Sequence, residues 1–305
     1  MGGETNGIGW GSRNYHPGTV AGDQTDYGEY NVLVLEHLSS AASLPPPALF
    51  SVEALLPLWK ERISGDWKQW ICTQSRLTYQ QVSQNVPVPQ LGGTSNAMAL
   101  RFAAVFAYYQ EEEEVVDAAR KVMFTHRERT AVMGGEFFAR VTHRVVHGGL
   151  TPREAIDGVA AESDPWIQEK VELAIEKFEE ATDGGSALSG EEFADDLALT
   201  SMSRLWDVGK SEPIKVGKAS PTEGTLPGAV YFILKYGEDY GGAVKANAMV
   251  GGDNASRAIA IGMVLGAAHG VEAIGGDLKA GLNCWKASEA MMEGMPLLEG
   301  RGREG

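Results

Sequence analysis

The sequence predicts an all-α fold, a multi-helix bundle of about 10–13 helices with no significant sheet. Apolar residues recur at helical spacing through most of the chain, and no run alternates with period two between turn signals. Glycine and proline clusters punctuate the chain at helix-length intervals. At 305 residues the chain is long for one unit, yet it shows no internal repeat and no low-complexity linker, so a single domain over 1–305 is expected.

The elements follow in order. Residues 1–24, rich in Gly, Asn and His, carry no apolar period and are expected as a loop. From Tyr27, the Val32, Leu35, Leu38 spacing marks a helix to about Ser43, ended by the proline run at 45–47. Ser51 caps a short helix, and the tryptophan-bearing stretch 66–85 is expected to be helical. The apolar run 95–109 reads as a helix, and Glu111 to Glu114 open the next one, where negative charge suits the helix dipole. A helix over 127–147 ends at Gly148-Gly149. Thr151-Pro152-Arg153-Glu154 has capping-box spacing, and Asp164-Pro165 starts another helix. The polar region 183–222 holds one short helix at 190–202. Helices at 223–236, 239–250 and 254–270 follow, the last apolar nearly all round and therefore central. Residues 276–305 are expected to be a loosely ordered extension.

Composition narrows the function. Twenty-six basic against 41 acidic residues give a formal charge of −15, which argues against nucleic acid and anionic membrane as partners. No segment reaches the ~18 uncharged apolar residues of a membrane span. Cys72 and Cys284 stand far apart with no metal-like spacing, as expected of free thiols in a reducing, cytoplasmic setting. The histidines show no His-Glu-x-x-His spacing, which argues against zinc.

Three places can carry chemistry. The turn at 249–257 joins two apolar helices; Gly251 and Gly252 let the backbone approach something closely, and Asp253 and Ser256 stand at the start of the most buried helix. Thr25-Asp26 precede the first clear helix, and Gly92-Gly93-Thr94-Ser95-Asn96 has the form of a loop that can cradle phosphate. For each, a plain helix cap or turn is the commoner use of the same residues. Thr125-His126, at a helix junction, reads as a structural histidine.

The order of these pieces is specific. Thr25-Asp26, the run Ser95-Asn96-Ala97-Met98-Ala99-Leu100-Arg101, Thr125-His126 before Ala131, Pro227-Gly228-Ala229, and Gly251-Gly252-Asp253 with Gly262, Gly266, Ala267 and Gly270 form a series that resembles the ADP-ribosylglycohydrolase family. The resemblance spans roughly residues 20–275. Residues 21–29, Ala-Gly-Asp-Gln-Thr-Asp-Tyr-Gly-Glu, resemble more narrowly the branch with the jellyfish J1 crystallins.

That resemblance implies an orthogonal helical bundle, two divalent cations (Mg²⁺ or Mn²⁺) between helices, and removal of ADP-ribose from proteins or small molecules. Active members pair a Thr-Asp-Asp-Thr cluster with a Gly-Gly-Asp-x-Asp-Thr cluster. Here Thr25, Asp26 and Asp253 match, and Ser256 stands for a threonine hydroxyl; Tyr27 and Ala255 replace carboxylates and Gly28 a threonine. The family's first acidic helix would fall upstream of residue 1. The resemblance therefore implies a depleted site: Thr25, Asp26, Asp253 and Ser256 as metal ligands, Asp26 and Asp253 catalytic, and one ion in place of two, or none. Ser95, Asn96, Gly251 and Gly252 would hold the ligand, an ADP-ribose-type small molecule or an ADP-ribosylated protein, and Glu29, one turn after Asp26, would supply a replacement carboxylate. The alternative is a non-catalytic, crystallin J1-like structural or ligand-binding protein.

Overall fold

The computed structural model describes residues 18–41, 50–65, 67, 70–186, 188–189, 193–202, 204–205, 214–215 and 218–298. Thirteen α-helices lie among them: α1 Asp26–Ala41, α2 Val52–Ser64, α3 Thr73–Ser83, α4 Glu112–Val122, α5 Arg129–Val146, α6 Pro152–Glu162, α7 Pro165–Thr182, α8 Ala194–Met202, α9 Thr222–Lys235, α10 Tyr240–Val250, α11 Asn254–His269, α12 Gly276–Gly281 and α13 Trp285–Glu293. Apart from two isolated bridges, the β pairing among the described residues is a two-residue antiparallel ribbon, Arg204–Leu205 with Ile214–Lys215. The fold is all-α. No helix among the described residues is long and apolar enough to cross a membrane.

Helix starts follow local chemistry. Thr151 and Glu154 form the reciprocal capping box of α6, Asp164 caps α7 through the Trp166 amide, and Ser51 caps α2. The centre is α9, buried at every position from Gly224 to Ile233, packed against α7 and α11, with α5 beside α11. Gly134 of α5 lets that helix meet Thr222 of α9, where a Cβ would crowd the threonine methyl.

Three expectations change. The run 95–109 is not a helix: Gly93 bridges His126, Ala97 bridges Pro221, and a 3₁₀ turn covers Ala103–Ala107. Met98 to Phe102 are all buried, so the run has no exposed face whose period could tell helix from extended chain. Several of its backbone bonds leave the segment, as in Thr222 N–H to the Asn96 carbonyl (2.8 Å) and Ala103 N–H to Asn31 Oδ1 (2.9 Å). Within 66–85 the helix is confined to Thr73–Ser83, with Trp67 and Trp70 non-helical and 66, 68 and 69 outside the described residues. Residues 276–298 are ordered on the bundle rather than loose: α13 packs on α1, Met295 is fully buried, and Asn283 bonds Gly22 and Asp23. Of the expected N-terminal loop, residues 1–17 lie outside the described residues, as do 190–192 of the helix expected at 190–202 and residues 299–305.

Candidate active site at the starts of α1 and α11

Two helix starts far apart in sequence meet here. Thr25 precedes α1, its hydroxyl 3.5 Å from the Gly28 amide, and Asp26 is the buried first residue of the helix, 5% exposed. At α11, Asp253 caps the helix, its Oδ1 accepting from the Ser256 amide at 3.2 Å. The Tyr27 hydroxyl joins the two, donating to Asp253 Oδ2 at 3.1 Å across 226 residues of sequence.

The turn before α11 is built for this approach. Gly251 and Gly252 both hold positive φ, 71° and 68°, and a Cβ at Gly252 would overlap the Lys218 carbonyl. The Asp253 amide donates to that same carbonyl at 2.8 Å. Behind the turn lies Arg257, fully buried; its Nη2 donates to the Gly251 carbonyl (2.6 Å) and its Nε to Asn247 Oδ1 (2.8 Å). Burial draws its pKa down to about 10, against the opposing pull of Asp253.

Electrostatics mark the same place. Burial, with Asp253 nearby, raises the Asp26 carboxyl to about 6, while Arg101 pulls the other way. Arg101 is 4% exposed; its guanidinium lies 3.8 Å over the Tyr30 ring and donates to the Thr125 hydroxyl at 2.9 Å. The Thr125 hydroxyl, which accepts from Arg101, also meets His126 Nδ1 at 2.9 Å. Burial first and Arg101 second hold His126 down to about 3. Burial, then Asp253 and Asp26, push Tyr27 well above its usual range, so it stays a protonated donor.

The structure thus brings Asp26 and Asp253 together and leaves Thr25 beside Asp26. The other expected side chains have partners of their own. The Ser256 hydroxyl, fully buried, donates to the Met98 carbonyl at 3.1 Å and so faces the segment behind the turn. Glu29 pairs with Arg62 of α2 at 3.5 Å, because α2 packs beside α1 and presents that cation to it. Ser95 Oγ accepts from the Ala97 amide (3.3 Å) and Asn96 Nδ2 donates to Glu223 (3.1 Å). No group of three or more His, Cys, Asp or Glu gathers among the described residues. The sequence reading missed Tyr27 as a bridging donor and Arg101 and Arg257 as buried cations; a lone arginine inside an apolar run was the available signal for the last two.

The ADP-ribosylglycohydrolase family profile matches residues 3–304. Among solved structures, one titled "ADP-ribosylglycohydrolase-related protein complex" is 18% identical with a TM-score of 0.62, over 91% of this chain and 82% of that one, which shows a common fold. No curated protein matches the chain. With a family match across nearly its whole length, the chain belongs to the ADP-ribosylglycohydrolase family.

Proposed function

We propose that this chain is a hydrolase that cleaves an ADP-ribosyl or related N- or O-glycosidic bond in the cleft between the starts of α1 and α11. The observation that carries the reading is the buried Asp26, raised in part by a nearby Asp253 whose Oδ2 the Tyr27 hydroxyl reaches from α1. A desolvated carboxyl with a second carboxylate near it costs stability, and such perturbed groups gather at working sites, which favours one over a crystallin J1-like structural body.

The donor set fits one divalent cation, Mg²⁺ or Mn²⁺, and not two. Asp253 gives one bond per oxygen to Ser256 and Tyr27, which leaves a lone pair on each. Asp26 and the hydroxyls of Thr25 and Ser256 complete the available ligands; Ser256 Oγ donates its proton to the Met98 carbonyl and keeps its lone pairs. A bound cation would polarise the glycosidic bond or acidify a water. Asp26, titrating near 6, is suited to take a proton from the attacking water at neutral pH. Tyr27 holds Asp253 in place, and Arg101 offsets part of the pair's charge. Ser95 and Asn96, with the Gly251-Gly252 turn, would receive the ribose and phosphates of the ligand.

Calorimetry tests the reading: ADP-ribose should bind the wild-type protein in Mg²⁺, and Asp253→Ala should lose that binding. A pure cap would instead cost about 1 kcal/mol of stability and leave ligand binding alone. Absence of ADP-ribose binding to folded wild-type protein at millimolar metal would sink the proposal.

A further inference from the structure

The segment 218–222, just ahead of α9, touches both loops assigned to the ligand. The Lys218 carbonyl accepts from the Asp253 amide at 2.8 Å and the Ser220 carbonyl from the Met98 amide at 3.4 Å. The Thr222 amide donates to the Asn96 carbonyl at 2.8 Å, and Pro221 bridges Ala97. The segment therefore ties the Ser95-Asn96 loop to the Gly251-Gly252 turn. Lys218 lies tight against that turn: a Cβ at Gly252 would fall 2.8 Å from the Lys218 Cβ.

Charge singles out the same residue. Across 95–98, 218–222 and 251–256, Lys218 is the one basic residue in the sequence. Its surroundings are acidic, with Asp253 on the turn and Glu223 accepting from Asn96 Nδ2 at 3.1 Å. A diphosphate entering there adds further negative charge and calls for a cation. The nearby arginines are held elsewhere. Arg101 is 4% exposed and lies over Tyr30, bonded to Thr125; Arg257 is fully buried on Gly251 and Asn247. The Lys218 ammonium pairs instead with Asp196 of α8, and these two side chains keep 23% and 39% of their surface exposed. So open a pair favours its closed form by no more than about fivefold, and a phosphate can displace the carboxylate. Asp196 stays behind, because its neighbour Asp195 pins α8 by accepting from Tyr231 (2.8 Å) and Lys235 (2.6 Å) of α9.

We infer that Lys218 exchanges Asp196 for the diphosphate of the ligand, and so selects for a diphosphate-bearing molecule. The inference rests on the ADP-ribosyl reading of the site, and the test keeps the two apart.

Calorimetry with ADP-ribose and with ADP, in Mg²⁺, reads the exchange. Lys218→Met should bind both about tenfold more weakly, the scale of one lost charge-assisted bond, and Lys218→Arg should bind close to wild type. Asp196→Asn should bind as tightly as wild type or up to about fivefold tighter, because it frees the ammonium. Circular dichroism melts confirm folding; should Lys218→Met not fold, Lys218→Gln carries the same comparison. Unchanged affinity in a folded Lys218→Met would overturn the inference and leave the hydrolase reading standing. Asp196→Asn as weak as Lys218→Met would also overturn it, since the pair would then be only a structural latch. Lys218-dependent binding of ADP without binding of ADP-ribose would refute the hydrolase reading and keep the diphosphate site. Binding of neither by folded wild type overturns both.

Discussion

Replacing His126 with asparagine separates two buried titrations that oppose one another in the native protein. His126, buried and hydrogen-bonded to Thr125, is held down to about 3, against 6.5 in the unfolded chain. Below pH 6.5 the unfolded state therefore takes up a proton that the folded state refuses, and stability falls with falling pH. The loss is about 1.4 kcal/mol per pH unit, or about 2 kcal/mol between pH 6.5 and 5. Asp26 behaves in the opposite sense: its folded value of about 6 lies above the unfolded 3.8, so the native state binds the extra proton between these limits. Stability gained from Asp26 rises as pH falls from 6 to 4, by about 3 kcal/mol in all. In the wild type the two slopes nearly cancel over that window. Urea unfolding from pH 8 to pH 4.5, with EDTA present, should show His126→Asn gaining about 2 kcal/mol relative to wild type on going from pH 7 to pH 5. Asp26→Asn should move the other way, losing relative stability on acidification. Curves for His126→Asn and wild type that run parallel would refute the assignment of a buried, neutral His126. Parallel curves for Asp26→Asn would refute the raised Asp26.

Two further outcomes follow from the turn. Gly252→Ala places a Cβ against the Lys218 carbonyl at a φ of 68°, and should lower stability by more than about 2 kcal/mol, read as a fall in Tm. Arg257→Met strands the Gly251 carbonyl and Asn247 Oδ1 inside the core and should cost about 2–5 kcal/mol in urea unfolding; an unchanged midpoint would show that the clamp does not hold the turn.

Much of this fold was legible because its helix starts carry local signals. Thr151 with Glu154, Asp164 and Ser51 all cap the helices that their spacing announced. The Val32, Leu35 and Leu38 spacing, widened by Leu33 and Val34, announced α1, Asp26–Ala41; its expected end near Ser43 lies outside the described residues. The stretch 95–109 failed for a physical reason: with Met98 to Phe102 all buried, binary patterning has nothing to report. The site was half legible. The resemblance paired Asp26 with Asp253, and the structure adds the buried setting of Asp26 and the Tyr27 bridge to Asp253. The partners of Ser256 and Glu29, the Met98 carbonyl and Arg62, are set by tertiary packing and leave no trace in spacing. Tyr27 looked like a loss because residue type alone hides that its hydroxyl reaches Asp253.

The central claim is that the Asp26–Asp253 pair performs hydrolysis, and release of free ADP-ribose measures it most directly. Wild-type protein in Mg²⁺ or Mn²⁺ is incubated with an ADP-ribosyl guanidine and an ADP-ribosyl serine peptide, which present an N- and an O-glycosidic bond. Chromatography of the released sugar nucleotide should show turnover of at least one. Asp26→Asn and Asp253→Asn, each verified as folded, should both fall by about 100-fold or more, the typical loss for an acid–base group. Turnover that survives unchanged in both folded variants would contradict the account.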